Sequence, residues 1–411
     1  MTSYSVSEIR FNDRGAGAPG ISISYWMLLV FVLLLYLNLP LLVPALQVVR
    51  PAQLVAGATL ALLLVETVFA RRNLEFAWPE GALLAGFLAA GAISCVTALW
   101  PRQAAESVSD LVKMTLVFFF LVNCTNTEGR LRGVMWVMVI GGLAPAAGTL
   151  KNNLQGHLEE GRASWVGIFG NPNEVAYSLI ILLPLAFLAA GRSLLKRMAL
   201  LSIAIVYLAA IFVTFSRGGL VALAAVMAIY AWRKRSPVLQ GFLVLVAAGG
   251  LLLSSSRYWS RSEDFSSLQA DVSFQQRIAT SQAGLAMFAD HPVLGVGLGC
   301  SMIAWPLYAP DNLYTRGSLV THNTFIQALG ETGLVGSIPF FLFVGAGLYY
   351  ARKLTLASSH EGLADLGVAL EVALWGFVVC GLSGGYVLTW FPYLLVGLVS
   401  SARRIETRAA A

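Results

Sequence analysis

Apolar runs of bilayer-crossing length recur along the whole chain, separated by short polar segments. A spanning helix needs about 20 apolar residues, and candidate runs cover residues 22–46, 52–70, 81–99, 107–123, 131–149, 173–190, 197–215, 217–232, 237–254, 333–350, 366–383 and 385–401. This pattern predicts an all-α integral membrane protein of about twelve transmembrane helices. Lys113 falls inside the fourth run, and only Gly384 and Gly385 separate the last two, which demands a tight turn there. The longest polar stretch, residues 255–332, follows the ninth run. Within it, Phe274, Ile278, Leu285 and Phe288 recur near helical spacing, with Gln275, Gln276, Arg277 and Gln282 between them. That periodicity predicts an amphipathic helix over Ser273–Asp290. His291-Pro292 ends it, because proline disfavours helix in the residue before it.

Composition supports the same picture. Hydrophobic residues make up 57% of the 411-residue chain and charged ones 12%, against about 25% charged in soluble domains. Lipid is therefore the solvent for much of the apolar surface, and residues 1–411 read as one polytopic domain. The net charge of +6 comes from basic residues scattered in pairs and triplets between apolar runs, the arrangement of cytoplasmic anchors rather than of a nucleic-acid surface. With Arg10 and Arg14 inside, the inside loops carry Arg71 and Arg72, Arg130 and Arg132, Arg192, Lys196 and Arg197, Arg233 to Arg235, Arg352 and Lys353, and finally Arg403, Arg404 and Arg408. Both termini are then cytoplasmic and residues 255–332 form a large outer loop. The first run lacks a small-residue cleavage site and is read as a retained span. Cys95, Cys124, Cys300 and Cys380 show no CxxC spacing, so no disulfide framework is expected.

Because charge at membrane depth is costly, cations near the outer face carry the most information. Arg217 stands in Thr214-Phe215-Ser216-Arg217-Gly218-Gly219, where the glycines permit close approach of another backbone or a phosphate. Arg277 lies on the outer amphipathic helix. Two guanidiniums that converge would suit a pyrophosphate without a metal. His322, at the outer mouth of a span and beside Asn323, is a candidate proton acceptor for a sugar hydroxyl. Glu331 follows two and a half helical turns later, to orient His322 across a turn or to cap the next span. Asn171-Pro172-Asn173-Glu174 reads as a capped helix start with a dipole favourable to anions, as structural capping or as lining of a substrate cleft. Gly295-Val296-Gly297-Leu298-Gly299 follows no strand and reads as tight loop turning rather than a dinucleotide fingerprint. His157 and His291 lack partners at metal-ligand spacing, so no metal site and no cofactor are expected. A transporter or flippase is the competing class, but no internal duplication is visible, and Glu66, Lys113 and Glu371 form no obvious relay inside the spans.

In order, Gly170-Asn171-Pro172-Asn173, Ser216-Arg217-Gly218-Gly219, Arg277, Asp290-His291-Pro292-Val293-Leu294-Gly295-Val296-Gly297 and the His322-Asn323 run resemble the O-antigen ligase and O-antigen polymerase superfamily, with motif-level likeness over residues 167–336. The ligase branch carries His and an Asn-type residue, nine variable positions, then Gly-x-x-Gly, here His322, Asn323, Gly333 and Gly336. The resemblance implies a GT-C-like fold and a metal-independent, inverting glycosyl transfer at the periplasmic face of a bacterial inner membrane. The donor would be a glycan on undecaprenyl diphosphate, with Arg217 and Arg277 on the diphosphate, His322 as base, and Asn171, Asn173, Asn323 and Glu331 lining the substrate cleft. Lipid A-core is the acceptor in the ligase reading, which the His-Asn-x9-Gly-x-x-Gly run favours. In the polymerase reading it is another lipid-linked repeat.

Overall fold

The computed structural model describes residues 22–71, 73–159, 161–188, 193–234, 272–310, 318–358 and 360–410. The expected span 237–254 lies outside them. No strand occurs among the described residues, where one isolated bridge joins Glu159 to Arg162. Seven helical stretches there are long and apolar enough to cross a membrane: Ala45–Phe69, Glu80–Thr97, Pro101–Cys124, Glu128–Leu154, Leu194–Val213, Thr324–Ala357 and Glu361–Gly381. Ile23–Leu37 and Pro172–Phe187 are shorter apolar helices. The chain is thus a multi-pass helical membrane protein.

The structure departs from the hydropathy pattern in two places. The run 22–46 is not one helix: Ile23–Leu37 stops at Asn38 (φ 44°), and two short helices, Leu39–Leu42 and Ala45–Val49, precede Pro51–Phe69. Pro40, Pro44 and Pro51 explain the breaks, since proline has no N–H to donate and its ring crowds the preceding turn. The expected turn at Gly384-Gly385 is instead an irregular segment running from the end of Glu361–Gly381 to the start of Phe391–Ala410.

Four helices place the region of interest, and they are labelled here α1 (Pro172–Leu188), α2 (Arg217–Lys234), α3 (Val272–Asp290) and α4 (Thr324–Ala357). α3 matches the predicted amphipathic helix and ends at Asp290, as His291-Pro292 requires. It runs beside the first turns of α4 in the same direction. At the crossing, a Cβ on Gly330 would lie 2.9 Å from the Gly284 carbonyl oxygen, and one on Gly284 would lie 2.6 Å from Ile326 Cγ2. Small residues at both positions allow this approach. It sets Arg277, two turns before Gly284, level with the residues that precede α4.

α4 is broken at Gly333 (φ 57°, ψ −160°). The amides freed there are not left unsatisfied, which would cost several kcal/mol each in lipid. Leu334 N–H donates to the Pro292 carbonyl (2.8 Å) and Val335 N–H to that of Val293 (3.1 Å). In return the Val296 and Gly297 amides donate to the Gly330 (2.9 Å) and Glu331 (3.0 Å) carbonyls. The turn needs positive φ at Gly295, Gly297 and Gly299 (68°, 110° and 72°). The Val296 carbonyl accepts from Leu99 N–H at 3.0 Å, tying the loop to the neighbouring hairpin as well.

At the opposite ends of the helices the basic residues are engaged. Glu371, 1% exposed, meets Arg233 at 2.6 Å and Arg352 at 3.6 Å. Lys234 pairs with Asp365, Arg403 with Glu80 (2.8 Å), and Arg404 and Arg408 with Glu75. Glu66 accepts from Ser24 N–H and both the Ser22 and Ser24 hydroxyls. Removing Arg233 would strip the buried Glu371 carboxylate of its nearer partner at a cost of about 3–5 kcal/mol, whereas the more exposed pairs contribute about 1 kcal/mol or less.

Candidate active site

Three helix starts meet at the other end of the bundle. α1 begins with Pro172 in its first position, and Asn171 Oδ1 accepts from Asn173 N–H at 2.8 Å. Asn173 Oδ1 accepts from Arg162 Nη2 and from Ser216 Oγ, each at 2.7 Å. Ser216 Oγ in turn accepts from Gly219 N–H at 3.0 Å, capping α2 just before Arg217. The starts of α1 and α2 are therefore stitched together through Asn173. The start of α4 is capped by Asn323, whose Oδ1 accepts from Phe325 N–H (3.0 Å) and Ile326 N–H (3.1 Å). Asn323 Nδ2 donates to the Leu382 carbonyl at 3.3 Å, and Thr324 Oγ1 donates to that of Gly384 at 2.7 Å, fastening the segment after Gly381 against this corner.

Arg277 is the meeting point. Its Nη1 lies 3.4 Å from where a Cβ on Gly218 would stand, directly beside Arg217, and Tyr177 Oη lies 2.3 Å from the same point. A Cβ at 218 would collide with Tyr177 Oη and stand in ordinary contact with Arg277 Nη1, so glycine here serves the close approach of Tyr177. The Arg277 guanidinium is within electrostatic reach of His322, Glu174 and Tyr177. Among the described residues it forms no hydrogen bond or ion pair of its own. Arg217, Arg277, His322 and Glu174 are each half-buried, sheltered but still reachable.

The His322 imidazole is held down to about 4, first by burial and second by the Arg277 guanidinium. Burial disfavours the charged form, and a neighbouring cation does so again. At neutral pH the ring is therefore uncharged and has a lone pair to offer. Tyr177 Oη and Tyr386 Oη are buried and make no close hydrogen bond among the described residues; Tyr177 is turned toward Ser383 and Tyr386 toward Glu174, and the two rings meet edge to face at 6.3 Å.

The polar residues expected around the cleft fall into two groups. Arg277, His322 and the start of α2 come together. Asn171, Asn173 and Asn323 are committed to capping and stitching, so Asn323 does not orient His322. Glu331, 1% exposed, accepts from Gly299 N–H (2.9 Å), Ser301 Oγ (2.6 Å) and Gln327 Nε2 (3.2 Å). Its carboxylate holds the 297–301 loop rather than facing His322. Sequence reading passed over Tyr177 and Tyr386, which sit in apolar runs, and gave Glu174 no role apart from the Asn171–Glu174 helix start, read as capping or as cleft lining. The one available signal was that Glu174 and Tyr177, three apart, share a helix face with a carboxylate and a phenol on it.

Residues 202–342 match the O-antigen ligase family model. The match covers about a third of the chain and contains Arg217, Arg277, His322, Asn323, Glu331 and the Gly333–Gly336 pair. The superfamily expected from the motifs is thus the one that matches. Asn171, Asn173 and Glu174 precede the matched segment, and Asn173 reaches it through Ser216. No curated protein matches the chain.

Proposed function

We propose that the protein transfers a glycan from undecaprenyl diphosphate to lipid A-core at the periplasmic face of the inner membrane. The family match supports ligase- or polymerase-type chemistry in general. The observation that carries the finer reading is Arg277: a guanidinium with no hydrogen bond or ion pair among the described residues, close to His322 and to Gly218, where the starts of α1, α2 and α4 meet. Helix starts favour anions, through both their free amides and their dipoles. A diphosphate gripped by Arg217 and Arg277 would sit where those contributions add.

The chemistry follows from these groups. The acceptor hydroxyl oxygen attacks the anomeric carbon while its proton passes to the neutral His322 ring. The bond from the anomeric carbon to the phosphate oxygen breaks, and its electron pair leaves with the lipid diphosphate. Attack opposite the leaving group inverts the anomeric centre. Arg217 and Arg277 stabilise the charge growing on the diphosphate, an electrostatic contribution of the oxyanion-hole type. Placing the basic ends of the helices in the cytoplasm, as the charge bias directs, puts this site on the periplasmic side with both termini inside.

The test is complementation of a deletion strain with wild type or His322→Ala, followed by electrophoresis of extracted lipopolysaccharide. Loss of all polymer from lipid A-core, with long glycan accumulating on undecaprenyl diphosphate, supports the ligase. A core bearing a single repeat and no ladder assigns polymerase. An unchanged ladder removes the proposal.

A further inference from the structure

Arg277 raises a question that the transfer chemistry leaves open: what balances it before a donor arrives. The carboxylate in its field is Glu174, at the third position of α1. Tyr177, three residues on and on the same helix face, reaches the same Gly218 spot as Arg277 Nη1. The face of α1 that carries Glu174 is therefore the face turned toward Arg277. The polar neighbour Asn173 is committed to Arg162 and Ser216, whereas no cation bridges Glu174 among the described residues. The other titratable groups around Glu174 are Tyr177 on its own helix, Tyr386 from the segment before Phe391, and Cys380 at the end of Glu361–Gly381. All three are neutral at ordinary pH. Arg277 is the cation among these neighbours, and His322 also lies in the field of that guanidinium.

We propose that Glu174 is the resting counter-charge of Arg277, exchanged for the diphosphate of the incoming lipid-linked donor. This rests on the diphosphate reading of the site and deepens it. A diphosphate diester carries two negative charges, which Arg217 and Arg277 balance. An ionised Glu174 would then be an uncompensated charge next to the new anion in a poorly solvated place. Donor binding therefore places a proton on Glu174. After transfer the diphosphate has gained a negative charge and His322 has gained the acceptor's proton, so the balance is kept. When Glu174 gives up its proton it opposes the spent lipid diphosphate and favours release. Glu174 acts through Arg277 and the diphosphate's charge; it is a positioning residue that touches neither reacting atom.

The experiment is calorimetric titration of the full-length protein in lipid nanodiscs with an undecaprenyl-diphosphate-linked monosaccharide, a diester with no proton of its own to exchange near neutral pH. Two buffers of different ionisation enthalpy are used across a pH series, with the undecaprenyl-monophosphate-linked monosaccharide as control. For wild type, the expected result is uptake of about one proton per diphosphate, with affinity falling about tenfold per pH unit where Glu174 is ionised. Glu174→Gln should bind more tightly at the alkaline end and lose both the uptake and the slope, and His322→Ala should keep them. Binding by wild type without proton uptake overturns the exchange and does not depend on any variant folding. So does a slope that persists in Glu174→Gln or disappears in His322→Ala. If wild type does not prefer diphosphate over monophosphate, the diphosphate reading itself falls, and this inference with it.

Discussion

Gly218→Ala is the perturbation that most directly probes the meeting of α1, α2 and α3. The new Cβ would stand 2.3 Å from Tyr177 Oη and 3.4 Å from Arg277 Nη1. The first contact falls short of an ordinary van der Waals separation by about 1 Å, and the second is already at the limit. Tyr177 is fully buried, so its ring has no room to swing aside. The start of α2 must yield instead, carrying Arg217 with it and moving Arg277 off its position. Overpacking of this kind costs about 1–3 kcal/mol of stability, and misplacement of a substrate-holding group by about 1 Å costs about 100-fold in rate, or about 2.7 kcal/mol of barrier. The structure also specifies the rescue. Once Tyr177 Oη is removed, the nearest remaining atom of that ring is Cζ at 3.4 Å, an ordinary contact. Tyr177 Oη makes no close hydrogen bond among the described residues and loses at most a weak interaction with Ser383, so Tyr177→Phe alone should stay within a few-fold of wild type. Gly218→Ala/Tyr177→Phe should recover most of the activity lost in Gly218→Ala. The assay is glycan transfer from lipid-linked donor in proteoliposomes, with protein amount and thermal unfolding measured in parallel. A fully active Gly218→Ala, or a folded double variant as impaired as the single one, would refute the close approach described here.

Four further expectations follow from the structure. Because His322 is held near 4 by burial and by Arg277, the acid limb of kcat/KM, which reports the free enzyme, should lie well below pH 6; bound diphosphate adds negative charge and should move the acid limb of kcat upward, so coincident limbs near the ordinary histidine value would contradict the geometry. His322→Ala should lower kcat by about 10²–10⁴ with little change in donor affinity, measured by binding of the lipid diphosphate. Glu331→Ala strips the acceptor from Gly299 N–H, Ser301 Oγ and Gln327 Nε2, and at about 1–3 kcal/mol per stranded group it should cut thermal stability before it alters donor KM. Gly333→Ala would put a Cβ 2.4 Å from the Val293 backbone at a φ of 57°, and a normally expressed, normally stable variant would show that the interlock at 292–297 is misassigned.

Much of the fold was legible because lipid imposes one rule on long apolar segments, and that rule shows in hydropathy. The run 22–46 was misread because hydropathy does not register the φ of Asn38 or the missing amides of Pro40 and Pro44. The 273–290 helix and its stop were legible because periodicity and the His291-Pro292 step are local. The site was harder. Arg217, Arg277 and His322 stood out as polar residues at outer helix ends, but Asn173, Asn323 and Glu331 stood out for the same reason. Which polar group is already engaged depends on partners far along the chain, such as Ser216 for Asn173 or Gly299 for Glu331. Glu174 stood out only as part of a helix start that caps or lines a cleft, because its proximity to Arg277, more than a hundred residues away in the chain, is invisible to local pattern.

The exchange of backbone hydrogen bonds between 292–297 and the break at Gly333 also constrains how the protein is made. Arg277 leaves the ribosome well before His322, and the strands of backbone that hold α3 in register, Leu334 and Val335 among them, leave later still. Until that stretch has been inserted, the backbone bonds that lock the segment after α3 to α4 cannot form, and α3 rests only on side-chain packing against the 300–305 region and the first turns of α4. Arg277 and His322, on which transfer would depend, are thus fixed relative to each other only after both have been made, so a nascent chain halted before Gly333 lacks the bonds that lock them in register.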